Sequence, residues 1–381
     1  MSQLKVDTIR HTGASSDAIT LAADGTAAIG KCTAKVTNNL SNRNLIINGA
    51  CQIAQRGTTA TENSVGTVDR FRLEYTGINN HSDQAQVDVT SNDSGPFEKG
   101  FRKAFRVTNG DQNAGADAGD LSSTQYTIEA QDLASSGWNC TDPNSKLTFS
   151  FWVQSSVAGT YYGYLYIADG GGDSFSFSTG ALSANTWKYV TVTIPGHADL
   201  AVNLDNGPGM TIYLQHYMGT DRTTSGHTLG AWQSWDSSNR TPDFSSSTWW
   251  TTNDASFDTT GWQLEVGDTA TDFEHRSYGD DLRQCQRYYQ KAWVYTYTGS
   301  VSDDGKFYES VQFKPEMRAA PTLAADYDTN NENDFETRTG ASWDTTTPVL
   351  VIAQEEGASL SSGSTNNFNF MKGIAHFSAE L

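Results

Sequence analysis

Between residues 41 and 275 apolar and polar positions alternate with a period of two, in short runs divided by Gly, Asn, Asp and Ser clusters. The runs VDRFRLEY, AQVDVT, KAFRVT, TQYTIEAQ, KLTFSFWVQS, TYYGYLYIA, WKYVTVTIPG, MTIYLQHYM and GWQLEVG have the spacing of successive strands, because neighbouring side chains on a strand point to opposite faces. No long helical period interrupts them, so the pattern predicts a mainly β protein built on an antiparallel jelly-roll β-sandwich. Residues 293–381 alternate in the same way and predict a small C-terminal β-sandwich. At the other end, QLKVDTI and AITLAADGTAAIG predict short strands, the second pair turning at Asp24-Gly25. A β-hairpin of this size cannot bury a core by itself. Residues 1–40 therefore read as an anchor or oligomerisation segment that packs on other chains.

One stretch breaks the alternation. SYGDDLRQCQRYYQKA places Leu282, Cys285 and Tyr289 at i, i+3 and i+7, with Asp280 and Asp281 in the first turn, where a helix dipole favours acids. A short helix from about Asp280 to Lys291 is expected, within a helical linker over 276–292. Packed on a threefold axis, this stripe would make oligomer contacts through Leu282, Cys285 and Tyr289 and leave Arg283, Arg287 and Lys291 for acids outside. Packed on its own domain, it would contribute to the stability of one chain only.

The alternation also sorts faces. In KLTFSFWVQS, Leu147, Phe149, Phe151 and Val153 share one face and Trp152 and Gln154 the other. In TYYGYLYIA, Leu165 and Ile167 point inward, which sends Tyr162, Tyr164 and Tyr166 outward. In MTIYLQHYM, Ile212, Leu214 and Met218 mark the core side, leaving Tyr213, Gln215 and Tyr217 outside. Flat rings with polar tips suit a sugar's C–H face and hydroxyls, and they equally suit a subunit interface or an ordinary sheet face. Trp249 and Trp250 are adjacent, so on a strand one ring is buried and the other faces out. With Trp232 and Trp235 on a Ser/Asn-rich loop they form a candidate receptor-contacting tip, or fold back over the sandwich edge.

Composition narrows the function. The 381 residues include 10 Trp and 16 Tyr but only 36% hydrophobic positions, and the formal net charge is -19. Such a surface repels phosphates and anionic lipid, which excludes non-specific nucleic-acid binding. No apolar run is long enough to insert in a membrane, and the opening MSQLKVDTIRHTGASS lacks the apolar region of a secretory signal. Cys32, Cys51, Cys140 and Cys285 are far apart with no C-x-x-C spacing. They read as small hydrophobes of a chain made in a reducing cytoplasm rather than zinc ligands or disulfides.

Enzyme signals are poor, and the chain reads as a non-enzyme. Gly172–Ser174 (GDS) sits in a Gly-rich turn with no helix behind it, and Glu274 beside His275 in FEHR reads as a salt-bridged corner rather than a dyad. The acids of DGGGD (Asp169–Asp173) lack the ligand spacing of an EF-hand loop.

The block GWQLEVGDTATDFEHRSYGDDLRQCQRYYQK resembles a signature of bacteriophage and prophage tail-fibre proteins. NLIINGACQIAQRGTT followed by VDRFRL resembles the start of that family's carbohydrate-binding-module-like jelly roll, and FKPEMRAAPT and AHFSAEL resemble its C-terminal domain. LKVDTIRHTGASSDAITLAADGT is similar to N-terminal segments of phage structural proteins. The resemblance implies a homotrimeric fibre in the virion, held to a phage tail or capsid anchor protein through residues 1–40, with a host surface glycan or protein as target. It implies no cofactor beyond the structural Ca2+ that such jelly rolls often carry. A head fibre of the same fold and a glycan-degrading tailspike are the alternatives. The second would need a repetitive β-helix and paired acids, and no coil-length repeat is visible.

Overall fold

The computed structural model describes residues 42–61, 63–78, 80–112, 115–296, 307–324, 336–339, 342–345, 348–362 and 368–381, and three short strands ahead of them. Those strands, β1 (Thr8–Ile9), β2 (Ile19–Leu21) and β3 (Ala27–Ile29), form an antiparallel sheet within the compact unit Met1–Asn42. The Asp24-Gly25 turn and Cys32 lie outside the described residues. The second compact unit is Arg43–Leu381.

That unit is built on two six-stranded sheets. The first has the order β14 (Trp232–Ser234), β11 (Asp173–Leu182), β10 (Gly159–Ile167), β13 (Pro208–Met218), β8 (Leu121–Glu129), β5 (Arg72–Thr76). The second runs β12 (Lys188–Pro195), β9 (Lys146–Ser155), β15 (Ser256–Val266), β7 (Lys103–Thr108), β6 (Asp83–Asp88), β4 (Thr59–Ala60). Every pairing is antiparallel and most join strands distant in sequence, the crossed connectivity of a jelly roll. The inner faces are those the alternation predicts. Leu147, Phe149, Phe151, Val153, Leu165, Ile167, Ile212, Leu214 and Met218 are all fully buried. Trp262 is the hub: its ring meets Phe149 at 5.1 Å and Phe71 at 5.2 Å edge-on, and Phe149 stacks on Phe151 at 4.7 Å. Each such ring contributes about 1.5–3 kcal/mol through burial alone.

The five-residue helix α1 (Ala130–Ala134) continues β8, and the helix α2 (Tyr278–Cys285) follows the sandwich. Ser277 caps α2 by accepting from the Asp280 N–H at 3.2 Å. The helix is shorter than the periodicity predicts: it ends at Cys285, and Tyr289 opens the strand β16 (Tyr289–Thr296). The β-favouring pair Tyr288-Tyr289 finds a strand partner in β23 (Phe368–Ser378), where Tyr289 stands opposite Ser378, and that pairing outweighs the i+7 match. The remaining strands are β17 (Phe307–Gln312), β18 (Thr322–Ala324), β19 (Glu336–Thr339), β20 (Ser342–Thr345), β21 (Pro348–Ala353) and β22 (Gly357–Ser362). They form sheets of order β16-β23-β19-β20, with β18 also on β23, and β17-β22-β21. Val311, Phe313, Met317, Ala358, Ala375, Phe377 and Ala379 make a small core there.

The chain end is keyed into the sandwich. Ala379 N–H donates to the Tyr288 carbonyl at 2.8 Å, and Glu380 pairs with Arg70 at 2.6 Å and with Arg56 at 3.1 Å. Arg70 is buried with its guanidinium 3.4 Å over the Tyr288 ring. These contacts place the stripe inside the chain. Cys285 and Tyr289 are buried and Leu282 is half-buried. Arg56 lies 3.7 Å over the Tyr289 ring, whose hydroxyl bonds His376 Nδ1 at 2.9 Å. Leu282, Cys285 and Tyr289 therefore do not form one exposed seam for three copies. Nor do the cations behave alike: Arg287 reaches in to Glu129 at 3.2 Å, while Arg283 pairs with Asp280 at 3.4 Å in solvent.

Candidate functional site: an aromatic pocket on the outer face of the second sheet

Residues on the outer face of β9 and β12 form one wall. Their register sets Trp152 opposite Tyr189, with ring centroids 5.2 Å apart. Core burial of Phe151, Val153 and Val190 forces both rings outward. Trp152 is half-buried and Tyr189 is 41% exposed. A second wall comes from the segment before β7 and the segment after β15. Phe101 meets Phe273 at 4.8 Å and His275 at 5.2 Å, and His275 Nε2 lies 2.9 Å from the Lys99 carbonyl. Between the walls lies a pocket of about 370 Å3, floored by Ser150 and Gly261 and rimmed by Glu98, Lys99, Thr271 and Asp272.

Two glycines make the pocket possible. Gly95, at φ +103°, passes so close to Trp152 that a Cβ would stand 2.5 Å from its ring. Gly261, at φ +67°, lies where a Cβ would meet the Phe101 ring at 2.6 Å. Gly261 belongs to the irregular pairing between Thr260 and Gln263 on β15, which turns Trp262 into the core and leaves the outer face open for Phe101. The polar rim is mixed in sign. Lys99 and Asp272 pair at 3.7 Å in solvent, a contact of small net worth that leaves both groups free to exchange partners. Burial raises the Tyr189 hydroxyl above its ordinary range, and a hydrogen bond with Ser150 partly offsets that. Flat apolar rings with hydroxyl, carboxylate and ammonium groups at the margin fit a small polyhydroxylated ligand lying on the indole.

Of the aromatic residues singled out in the sequence, Trp152 lies at this pocket. The tyrosines gather on the outer face of the first sheet, under the segment between β13 and β15. Tyr164 stacks on Tyr213 at 4.4 Å, and Trp235 covers Tyr164 at 5.3 Å and Tyr166 at 4.8 Å. Tyr162 meets Phe244 at 5.3 Å, and Tyr217 meets Trp250 at 5.0 Å. Tyr164 and Tyr217 are buried; Tyr162, Tyr166 and Tyr213 are half-buried. This chain covers its own tyrosine face. Trp249 and Trp250 lie in a turn rather than a strand, and both are buried, so neither ring forms an exposed tip. Asn109 Nδ2 fixes that turn by donating to the Trp250 carbonyl at 2.6 Å. Trp232 is tied by its Nε1–H to the Pro195 carbonyl at 2.7 Å.

Glu274 and Arg276 close the sandwich. They pair at 3.0 Å, while Glu274 accepts from the Asn44 N–H at 2.9 Å and Arg276 donates to the Asn44 carbonyl. The FEHR block thus clamps the first residues of the sandwich to its last strand. Ser174 is buried in β11, paired opposite Tyr166 and Gln233. Asp169 accepts from Asn203 N–H at 2.9 Å and Asn203 Nδ2 at 2.7 Å. Among the described residues the group of acids close enough to share a metal is Glu316, Glu355 and Glu356, all exposed and remote from that loop in sequence. Cys51 and Cys285 are buried and Cys140 half-buried, all as free thiols.

No family model matches the chain, and no curated protein does. Among solved structures, the enzymatically active domain of tailspike protein 4 of bacteriophage CBA120 aligns with 59% of this chain and 22% of its own, at 10% identity and a TM-score of 0.30. The N-terminal cellulose-binding domain of Cellulomonas fimi β-1,4-glucanase C aligns with 57% of this chain and 99% of its own, at 9% identity and a TM-score of 0.27. The family 11 carbohydrate-binding module of Clostridium thermocellum, solved with a mixed-linked tetrasaccharide, aligns with 57% and 98%, at 12% identity and a TM-score of 0.24. These are likenesses of the β-sandwich alone.

Proposed function

We propose that this chain is a fibre protein of a bacteriophage virion that adheres to a glycan on the host surface through the Trp152–Tyr189 pocket. The observation that carries the adhesive half is the pocket itself. Two outward rings, with Gly95 against the Trp152 ring and Gly261 against Phe101 across from it, face a cavity of about 370 Å3 with hydroxyl and charged groups at its rim. The fibre half rests on the QLEVG…FEHR…CQRYYQ resemblance and on an N-terminal unit too small to bury a core. In this reading residues 1–40 fix the chain to a tail or capsid protein and the working form is a homotrimer. Each site binds weakly, and three on one particle gain avidity once the first has engaged. The test is adhesion of the labelled full-length protein to a panel of bacterial cells, with purified surface polysaccharide as competitor. Binding to some strains, abolished by the competitor and by Trp152→Ala, supports the proposal. Binding that survives both would remove the pocket from it.

A further inference from the structure

On the other sheet, tertiary folding assembles a group that no short motif encodes. Ser176 lies at the middle of β11, opposite Tyr164. The chain after β13 returns over this strand and is pinned there by the Gly230 N–H, which donates to the Ser176 carbonyl at 2.9 Å. This return brings His227 Nε2 to 2.5 Å from Ser176 Oγ. The other ring nitrogen, Nδ1, lies 2.9 Å from Asn239 Oδ1. Asn239 is itself set by a turn in which Asp236 accepts from the Ser238 N–H at 2.8 Å and from its hydroxyl at 2.7 Å.

The chemistry follows from these two contacts. Asn239 Oδ1 can only accept, so Nδ1 carries the imidazole proton and Nε2 presents its lone pair to the Ser176 hydroxyl. A hydroxyl facing the unprotonated nitrogen of a ring whose far nitrogen is held by a third group is the arrangement of an activated nucleophile. The Gln233 side-chain amide stands 3.4 Å from the same Nε2 and spends one N–H on the Thr228 carbonyl at 3.0 Å. Its second N–H is directed at the His227 Nε2 lone pair, a long contact that a carbonyl oxygen bound at the serine can replace. The Thr228 carbonyl also lies 3.4 Å from Ser176 Oγ, a longer competing acceptor.

We propose that Ser176, His227 and Asn239 form an esterase site for short acyl groups, an activity separate from the adhesive pocket on the opposite sheet. Ser176 attacks the ester carbonyl carbon as its proton passes to His227 Nε2. The bond from that carbon to the alkoxy oxygen then breaks, and the alcohol leaves with the proton. A water molecule gives a proton to Nε2, attacks the acyl-serine and releases the carboxylic acid, which restores Ser176. Because Ser176 is only 2% exposed and its neighbours Ser174, Phe175 and Phe177 are also buried, the acyl group must be of acetyl size. The alcohol side is unrestricted by this argument, so an aryl acetate and an O-acetylated sugar share the required chemistry.

The experiment compares hydrolysis of 4-nitrophenyl acetate and 4-nitrophenyl octanoate by the full chain, and acetate release from an O-acetylated polysaccharide. Ser176→Ala, His227→Gln and Asn239→Ala are measured in parallel, with thermal melts to confirm folding. The expected result is turnover of the acetate and not the octanoate, lost at least ~100-fold in Ser176→Ala and His227→Gln. An acetyl adduct should appear by mass spectrometry on the peptide carrying Ser176, a signature that a purely structural hydrogen bond does not produce. Acetate release from the polysaccharide extends the substrate to sugar esters; its absence alongside aryl acetate turnover confines it to free esters. Equal rates for wild type and Ser176→Ala, with no adduct, would overturn the proposal even if a variant unfolds, because the adduct is read on the wild type.

Discussion

His216 and Asp69 titrate in opposite directions. His216 is fully buried between Trp249 and Phe257, with Ser122 Oγ 3.0 Å from Nδ1 and Thr124 Oγ1 2.9 Å from Nε2. Burial holds its pKa down at about 3, against 6.5 for a free imidazole. The unfolded chain binds this proton first, so the contribution is present above pH 6.5 and is lost as pH falls towards 3. Asp69 is pushed up to about 6 from 3.8 by burial, opposed by Arg56. Its contribution is present below pH 3.8 and is lost as pH rises through 6. Each has a slope of about 1.4 kcal/mol per pH unit, and between pH 4 and 6 the two cancel. Denaturant melts of wild type and His216→Gln across pH 4–8 should show the stability gap narrowing below pH 6.5, and a constant gap would refute the assignment. At the pocket, Gly95→Ala should displace Trp152 and weaken glycan binding about as much as Trp152→Ala, because its Cβ would occupy the ring's position. Unchanged affinity in Gly95→Ala would show that the ring does not carry the contact.

At the scale of elements, the connection between sandwich and chain end is a packed joint. Glu380→Gln leaves Arg70 buried without its carboxylate, with the Thr127 carbonyl and the Tyr288 ring still in contact. A loss of about 3 kcal/mol in a denaturant melt is expected, and a loss under about 0.5 kcal/mol would show the pair is not felt. Ser277→Ala removes the α2 cap and should cost about 1 kcal/mol. The contrast between β9 and α2 shows what the sequence carries. A two-residue period with small polar partners assigned Phe149 and Phe151 inward and Trp152 outward, because one strand's pattern already contains its burial. In β12 the burial of Val190 and Ile194 turns Tyr189 outward by the same alternation. Phe101, Phe273 and His275 were not legible, since segments far apart in sequence meet there. Tyr164 and Tyr213 were correctly sent to the outer face, but nothing local told that Trp235 and Phe244 would return to cover it. The i+7 step to Tyr289 misled because a helix period cannot see a strand partner, here Ser378.

For the molecule as a whole, a net charge of -19 spreads repulsion over the surface, and binding to an uncharged or cationic glycan is favoured over binding to an anionic one. The proposed fibre predicts sedimentation as a trimer at micromolar concentration; a monomer there would contradict the assembly. Deleting residues 1–40 should abolish incorporation into virions while leaving the melting temperature of the remaining 41–381 unchanged, since the compact unit Arg43–Leu381 has its own core. Leu282→Asp should lower stability without altering subunit number, because Cys285 and Tyr289 on the same stripe are buried within the chain. The adhesive claim is tested most directly by calorimetric titration of the full-length protein with oligosaccharides cut from the surface polysaccharide of a strain it adheres to. The account predicts saturable binding that is lost in Trp152→Ala, weakened in Tyr189→Ala and unchanged in Tyr162→Ala. Binding of equal strength in wild type and Trp152→Ala would contradict it.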